Sequence, residues 1–572
     1  MKDLDWIQLS FLLLIITLIT KPLGIYIHKV LNPDEKTFLD KLFKPLEKLT
    51  YRLCRIDAKK EQSWKEYLFC VLVFSGFSVL FTYVLLGCQQ YLFLNPAKLG
   101  AVAADLRFNI AAGFQTNTDW QNYVGEKTLS YFSQIVPLSL QNFLSPAIGL
   151  SVAAGLVRGI GRHSSTVLGN FWVDITRITY YILLPLAFIT AVFFVSQGVP
   201  QNFNPYAKVA TLESGTEQMI VQGPFASQQA IKLIGTNGGG PTNANSAHPY
   251  ENPSPLSNFV QLLCMLIIPA GQTYYLGREI KNQKHGWSLY IAMTLIFIVG
   301  VIICSTFEAK ETPYFKDVGI AASSGNMEGK EQRFGIFGST LFGTVTTSTS
   351  TGALNASHDS FTPIGGLIPM LNIQLGGTIW GGVGAGLYSI LLFVIIAIFT
   401  AGLIIGRTPE YLGKKIEALD IQSAILGVLI FVFLVLGFTA WACTSEWGRA
   451  AIWNKGPHGF SEILYAYSSA SGNNGSSFDG LITNTPWWNI TLGCVMLIGR
   501  LALITFVLML AGSLVKKKRP ATDTVSFPVS GFTFTALVIA VMILVGALSF
   551  LPALIMGPFL EQFFMISGKL FK

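Results

Sequence analysis

Charge is scarce in this chain: only 12% of its 572 residues are Asp, Glu, Lys or Arg. That is about half the charged fraction of a soluble domain, so a water-soluble fold of this length is excluded. Paired cysteine is missing too. Cys54, Cys70, Cys88, Cys264, Cys304, Cys443 and Cys494 lie scattered, mostly inside apolar runs, without CxxC or metal-ligand spacing. They read as single buried thiols and not as a disulfide framework or a metal centre. The first apolar run, Trp6 to Tyr26, has no basic leader and no small-residue cleavage site; its start (Lys2, Asp3, Asp5) is acidic on balance. It therefore reads as a retained span and not as a cleaved signal. Enzyme signatures are absent as well: no G-x-S-x-G, no HExxH, no paired carboxylates. His248 and His358-Asp359 are the residues an embedded enzyme would use, and both read as structural.

Apolar residues are what the chain has in excess: 51% of the total, with a mean hydropathy of +0.51. Runs of about twenty apolar residues recur along its length, the length that crosses a bilayer. Ten spans can be drawn, near 6–26, 67–88, 135–157, 178–196, 256–276, 287–306, 379–404, 422–443, 489–513 and 531–555. Basic residues cluster on alternate connections: Lys29 to Lys65; Arg158, Arg162 and Arg177; Arg278, Lys281 and Lys284; Arg407, Lys414 and Lys415; Lys516, Lys517, Lys518 and Arg519. These connections are expected in the cytoplasm. The long loops near 89–134, 197–255, 307–378 and 444–488 are poor in Lys and Arg, so they and both termini are expected outside.

Each long loop carries the same kind of sequence. A short, moderately apolar stretch precedes a run of Gly, Thr, Ser and Asn, and a span follows. The pairs are ADLRFNIAAGFQ with Thr116-Asn117-Thr118-Asp119, and PFASQQAIKLIG with Thr236-Asn237-Gly238. The others are EQRFGIFGSTLFG with a run through Thr347-Ser348-Thr349, and GFSEILYAYSSA with a run through Asn473-Asn474-Gly475. Ten to twelve residues make only about 15–18 Å of helix, a half-helix that enters the membrane and turns back. The fold class is thus all-α polytopic. Four span–half-helix–filter–span repeats surround a pseudo-fourfold pore, with one extra span at each end. The units are 1–65 (first span and basic loop), 66–160, 171–277, 286–406 and 421–514 (repeats one to four) and 530–572 (last span).

These residue types suit a cation. A dehydrated ion in a medium of low dielectric needs its hydration shell replaced, and inward carbonyls do this without fixed charge. Gly tolerates the backbone conformations that aim successive carbonyls at one axis. Thr, Ser and Asn add oxygen ligands and anchor the loops. The negative C-terminal end of each half-helix points at the same place. One such run would be an ordinary surface loop; four in equivalent positions read as a filter.

GTNGGG (Gly235–Gly240), TTSTSTGA (Thr346–Ala353), SGNNGS (Ser471–Ser476) and TNTDWQ (Thr116–Gln121) resemble the four filter segments of the potassium-binding A subunit of the bacterial Kdp potassium-transporting ATPase, in the superfamily of potassium transporters. The resemblance covers the whole chain. It implies a high-affinity uptake complex in the bacterial plasma membrane, with K+ as transported ligand and no covalent cofactor. Ions would leave the filter sideways, through an intramembrane tunnel, to a P-type ATPase subunit (B) that hydrolyses ATP. A single-span subunit (C) would complete the core, and a very small accessory subunit (F) can attach. The chain itself has no DKTGT phosphorylation motif and would be non-catalytic. The alternative within the superfamily is a stand-alone, gradient-driven transporter or channel.

Two positions depart from the family pattern: Asp119 stands where Asn is expected, and Gly377 where Glu is expected. The surrounding Leu371–Tyr388 stretch, with Gly376, Gly377, Gly381 and Gly382, is too Gly-rich for a plain span and reads as a broken helix that gates below the filter. Arg500, in LIGRLAL, is a charge inside an apolar run, expected to repel cations from a straight path or to snorkel. Gln121 is expected to brace the filter.

Overall fold

The computed structural model describes residues 3–212, 215–310, 325–518 and 527–569. Lys2 and Arg519 lie outside them. Among the described residues, ten helices are long and apolar enough to span a membrane: Asp3–Leu31, Trp64–Tyr91, Tyr131–Gly161, Phe171–Ser196, Pro255–Glu279, Gln283–Glu308, Ala385–Ile405, Ala418–Thr444, Pro486–Leu514 and Phe532–Ile566. The strands among the described residues form three two-stranded pairs in connections.

Burial sorts the spans. Within each repeat the second span is more enclosed than the first: 89% against 22%, 72% against 39%, 67% against 50%, and 50% against 33% of the apolar window. The second span is thus the inner member of each pair and the first span the outer one. The two extra spans lie outside, at 28% and 33%. The first packs along Pro255–Glu279, and the last against Gln283–Glu308 and Ala385–Ile405. Small residues set the close approaches, as expected where lipid supplies no hydrophobic drive between helices. A Cβ on Gly24 would sit 2.6 Å from the Cβ of Tyr274 on the neighbouring span.

Between the two spans of each repeat stands a short helix: Ala104–Gln115, Phe225–Ile234, Gly335–Ser348 and Pro457–Ser471. At 10 to 15 residues, each covers about 15–22 Å, less than the hydrocarbon thickness. The half-helices pack against spans of their own and neighbouring repeats; Ala104–Gln115, for example, lies along Trp64–Cys88, Pro486–Leu514 and Tyr131–Gly161.

Two elements go beyond the sequence reading. Pro363–Gln374 is a separate helix, capped by the Thr362 hydroxyl accepting from the Gly365 N–H. The seventh span begins only at Ala385, later than 379. The second span of repeat three is thus two pieces joined through 375–384, because Gly376, Gly377, Gly381 and Gly384 all take left-handed φ there and cannot continue a right-handed helix. Asp40–Leu53, in the basic connection, is also helical. It leaves Leu42, Leu46, Leu49 and Leu53 exposed beside Lys41, Lys44, Lys48 and Arg52, a pattern suited to a membrane surface.

Candidate functional site: four half-helix ends around one axis

All four half-helices end in the same way. A non-Gly residue takes left-handed φ: Asn117 (67°), Thr236 (53°), Ser350 (47°) and Asn473 (50°). The next N–H then turns back to the carbonyl five residues earlier: Thr118 to Gly113 (2.9 Å), Asn237 to Lys232 (2.8 Å), Thr351 to Thr346 (2.8 Å) and Asn474 to Ser469 (2.9 Å). This is a helix stop of the Schellman kind, and it fixes the register of the repeats against one another. Thr118, Asn237, Thr351 and Asn474 are equivalent. Asp119, Gly238, Gly352 and Gly475 follow them.

The register moves the third run. Thr347 and Ser348 belong to the last turn of Gly335–Ser348, their hydroxyls donating to the Gly343 and Thr344 carbonyls (2.7 and 2.6 Å). That run enters the pore through Thr349, Ser350, Thr351 and Gly352, two residues later than its composition suggests.

The following residues converge. A Cβ on Gly238 would lie 2.9 Å from the Thr351 carbonyl oxygen, 3.0 Å from that of Thr118 and 3.2 Å from that of Asn474. Three equivalent carbonyls from three other repeats therefore surround one point beside the backbone of repeat two. Gly475 and Gly352 sit equally close: their Cβ atoms would fall 1.8 Å from the Thr118 oxygen and 2.0 Å from the Asn474 oxygen. Any side chain there would enter the ring.

Side-chain amides tie the runs together. Asn117 Nδ2 donates to the Thr236 carbonyl (2.6 Å), Asn474 Nδ2 to the Thr346 carbonyl (3.0 Å) and Asn473 Nδ2 to Thr118 Oγ1 (3.0 Å). Gln121 joins repeat one to repeat two in both directions. Its Nε2 donates to the Gly240 carbonyl (2.8 Å), and its Oε1 accepts from the Gly240 N–H (3.3 Å). Asp119 is 1% exposed and borders a vestibule of about 770 Å³ that also includes Gln121, Gly238, Gly352 and Gly475. Its Cβ lies 3.1 Å from where a Cβ on Gly239 would be, so it is wedged against repeat two.

Sequence reasoning missed two buried ion pairs behind the runs. Lys232 Nζ meets Glu251 Oε2 at 3.0 Å with both side chains fully buried, and also donates to Asn245 Oδ1 (2.7 Å). Asn245 Nδ2 in turn donates to the Gly238 carbonyl (2.7 Å). Glu251 accepts from the N–H and hydroxyl of Thr242. Behind the third run, Lys330 pairs with Glu308 at 2.8 Å, also fully buried. The available signal was a lysine inside an apolar half-helix, in PFASQQAIKLIG.

Beneath the ring lies a cavity of about 60 Å³ bordered by Ser350, Gly376, Gly377, Tyr388, Asn473 and Arg500. The Gly-rich break is docked onto the runs from below. Gly381 N–H donates to the Ser348 carbonyl (2.9 Å), and Val383 N–H to Thr236 Oγ1 (3.0 Å). Gly382 approaches Thr236 Oγ1 and the Thr349 carbonyl, at 3.2 and 3.5 Å from its would-be Cβ. Gly377 has φ +64°, and a Cβ there would lie 2.8 Å from Ser350 Oγ. Arg500 is 4% exposed, donates to the Ser145 carbonyl (3.3 Å) and, among the described residues, has no acidic partner. The cavity thus has one cation at its border.

The family model for KdpA, the potassium-transporting ATPase A subunit, matches residues 10–563. The chain belongs to this family. A relative from Solibacter usitatus, named potassium-transporting ATPase potassium-binding subunit, is 50% identical over 97% of each chain. One of the same name from Methylacidiphilum infernorum is 49% identical over 99% of each. Among solved structures, the potassium transporter TrkH from Vibrio parahaemolyticus aligns with a TM-score of 0.50 at 16% identity, covering 86% of this chain and 96% of that one. At that identity the likeness speaks for the fold alone.

Proposed function

We propose that this chain is the potassium-binding, non-catalytic subunit of an ATP-driven uptake complex. Its relatives carry that name, and the observation that carries the reading is the convergence of the Thr118, Thr351 and Asn474 carbonyls on Gly238. Carbonyl oxygens at this spacing replace a monovalent ion's hydration shell while adding no fixed charge. The half-helix C-termini add a negative potential at the same point. K+ enters from the vestibule, which faces away from the cytoplasm because the basic connections lie on the opposite side. Arg500, below, opposes a straight passage to the cytoplasm.

The route out is sideways. The cavity beneath the ring shares Gln374, Leu375, Gly546 and Phe550 with a second, apolar cavity of about 270 Å³ between the Pro363–Gln374 helix and the last span. Leu375 stands between them, its Cδ2 lying 2.7 Å from a would-be Cβ on Gly546. An ion passing there reaches the flank of the molecule, where a P-type ATPase subunit (B) would receive it, with the single-span subunit (C) and the small subunit (F) completing the bacterial plasma-membrane assembly.

The test is Gly238→Ala in the assembled complex. Its methyl group would meet three carbonyls, so the K+ concentration for half-maximal ATPase stimulation rises by about ten-fold or more, and discrimination against Na+ falls. Unchanged K+ dependence would refute the reading. ATP-independent uphill uptake by the chain alone would favour a gradient-driven transporter.

A further inference from the structure

Away from the pore axis, one group of side chains has no part in the proposed transport path. Asp359 lies in the short turn His358–Ser360 that follows the third run. His458 and Glu462 stand four residues apart on the half-helix Pro457–Ser471, and so share one face of it. Glu561 comes from the last span. His458 Nε2 lies 2.9 Å from Asp359 Oδ1, and His458 Nδ1 lies 2.8 Å from Glu561 Oε1. A carboxylate oxygen of Glu462, a carboxylate oxygen of Asp359 and a ring nitrogen of His458 all fall within 4.8 Å of one another.

We propose that Asp359, His458 and Glu462 bind a divalent transition-metal cation of the Zn2+ type. Four observations carry this. The donors are one imidazole and two carboxylates, a set that suits Zn2+ and its neighbours. Their spacing allows it: His458 Nε2 and Asp359 Oδ1 stand 2.9 Å apart and all three donors lie within 4.8 Å of one another, close enough to close on one ion at bonds of about 2.0–2.2 Å. Glu462 is fully buried, and its Oε2 has no hydrogen-bond partner while Oε1 accepts from Asn454 (2.8 Å). A buried carboxylate oxygen left without a partner is costly unless something binds it. Finally, the imidazole is already oriented as a ligand. Glu561 holds Nδ1, and the Phe478 ring stacks on the imidazole at 5.8 Å and 18°, so Nε2 faces Asp359 Oδ1, a contact that a bound ion would replace. A carboxylate on the far nitrogen is the usual support of a metal-bound histidine.

Charge agrees with geometry. Among the described residues, Asp359 and Glu561 have only His458 as ion-pair partner, and Glu462 has none. A dication would offset that excess. The His458 and Asp359 side chains are 18% and 15% exposed, so an ion arriving from the vestibule side can reach them. With three protein ligands, water completes the coordination and the ion exchanges. Bound there, it pins repeat three to repeat four beside the last span.

Co2+ titration of the full-length protein, followed by visible absorption, tests this. A single saturable site with a ligand-field band, displaced by Zn2+, is expected. His458→Ala removes the band, Glu462→Gln weakens binding by about ten-fold or more, and Glu561→Gln weakens it by about ten-fold through lost orientation. His248→Ala, at a histidine elsewhere, leaves it unchanged. Native protein without saturable Co2+ binding would overturn the proposal even if no variant could be made. So would a band that survives His458→Ala.

Discussion

The ring of carbonyls and the stretch directly beneath it obey different rules. Above, four repeats end alike: a left-handed residue, a returning N–H, and a small residue at three of the four next positions. Below, they are unequal. Repeat one continues into one helical span, Tyr131–Gly161, whose apolar window is 89% buried, whereas repeat three stops at Gln374 and resumes at Ala385. Near-symmetry above suits the proposed coordination of one ion on an axis, and asymmetry below suits the proposed exit to one side. Irregular backbone at this depth is tolerable because it lines cavities and is hydrogen-bonded to the runs.

The largest effects belong to the break. A Cβ on Gly381 would lie 2.0 Å from Gly386 Cα, and one on Gly384 1.9 Å from the carbonyl carbon of Gly149. Gly381→Ala and Gly384→Ala are expected to abolish recovery of folded protein, read by size-exclusion profile. If either folds with normal stability, the break is not a close-packed element.

Next comes the support of the ring. Lys232→Met leaves Glu251 without a counter-charge in a fully buried site, and is expected to cost about 3–5 kcal/mol in thermal or denaturant unfolding. Lys232→Met with Glu251→Gln should recover much of that loss while the K+ response stays weakened, because Asn245 and hence the Gly238 carbonyl lose their anchor.

Gly377→Ala separates the two regions more finely. The left-handed φ costs about 1–2 kcal/mol for an L-residue, and the methyl group would also crowd Ser350. Turnover should fall several-fold with K+ affinity nearly unchanged. A selective loss of affinity instead would assign Gly377 to the ring. The smallest effect is at Gln121. Losing both hydrogen bonds to Gly240 beside a wet vestibule costs about 1 kcal/mol, seen as a few-fold weaker K+ stimulation in Gln121→Ala.

Much of this was legible in the chain because the signals are local. Span lengths, short half-helices and polar runs are each written within about twenty residues. The departures have physical reasons. In the third run, Thr347 and Ser348 look like filter residues by composition, yet their hydroxyls bond back to carbonyls of the preceding turn and let the helix continue. Pro363–Gln374 was hidden because a helix of that length between glycines resembles a loop. Lys232–Glu251 and Asp359–His458 are 19 and 99 residues apart, pairings that no local pattern encodes. Gly377 is consistent with its own backbone, since a φ of +64° favours glycine whatever the family carries there.

The most direct test is a density map of the assembled complex in K+, repeated with Tl+ as a heavier substitute. A peak is expected on the axis, beside Gly238 and within coordination distance of the Thr118, Thr351 and Asn474 carbonyls, that strengthens with Tl+ and is absent from Gly238→Ala. A map with those carbonyls turned away from one another, or with the ion held elsewhere, would contradict that expectation.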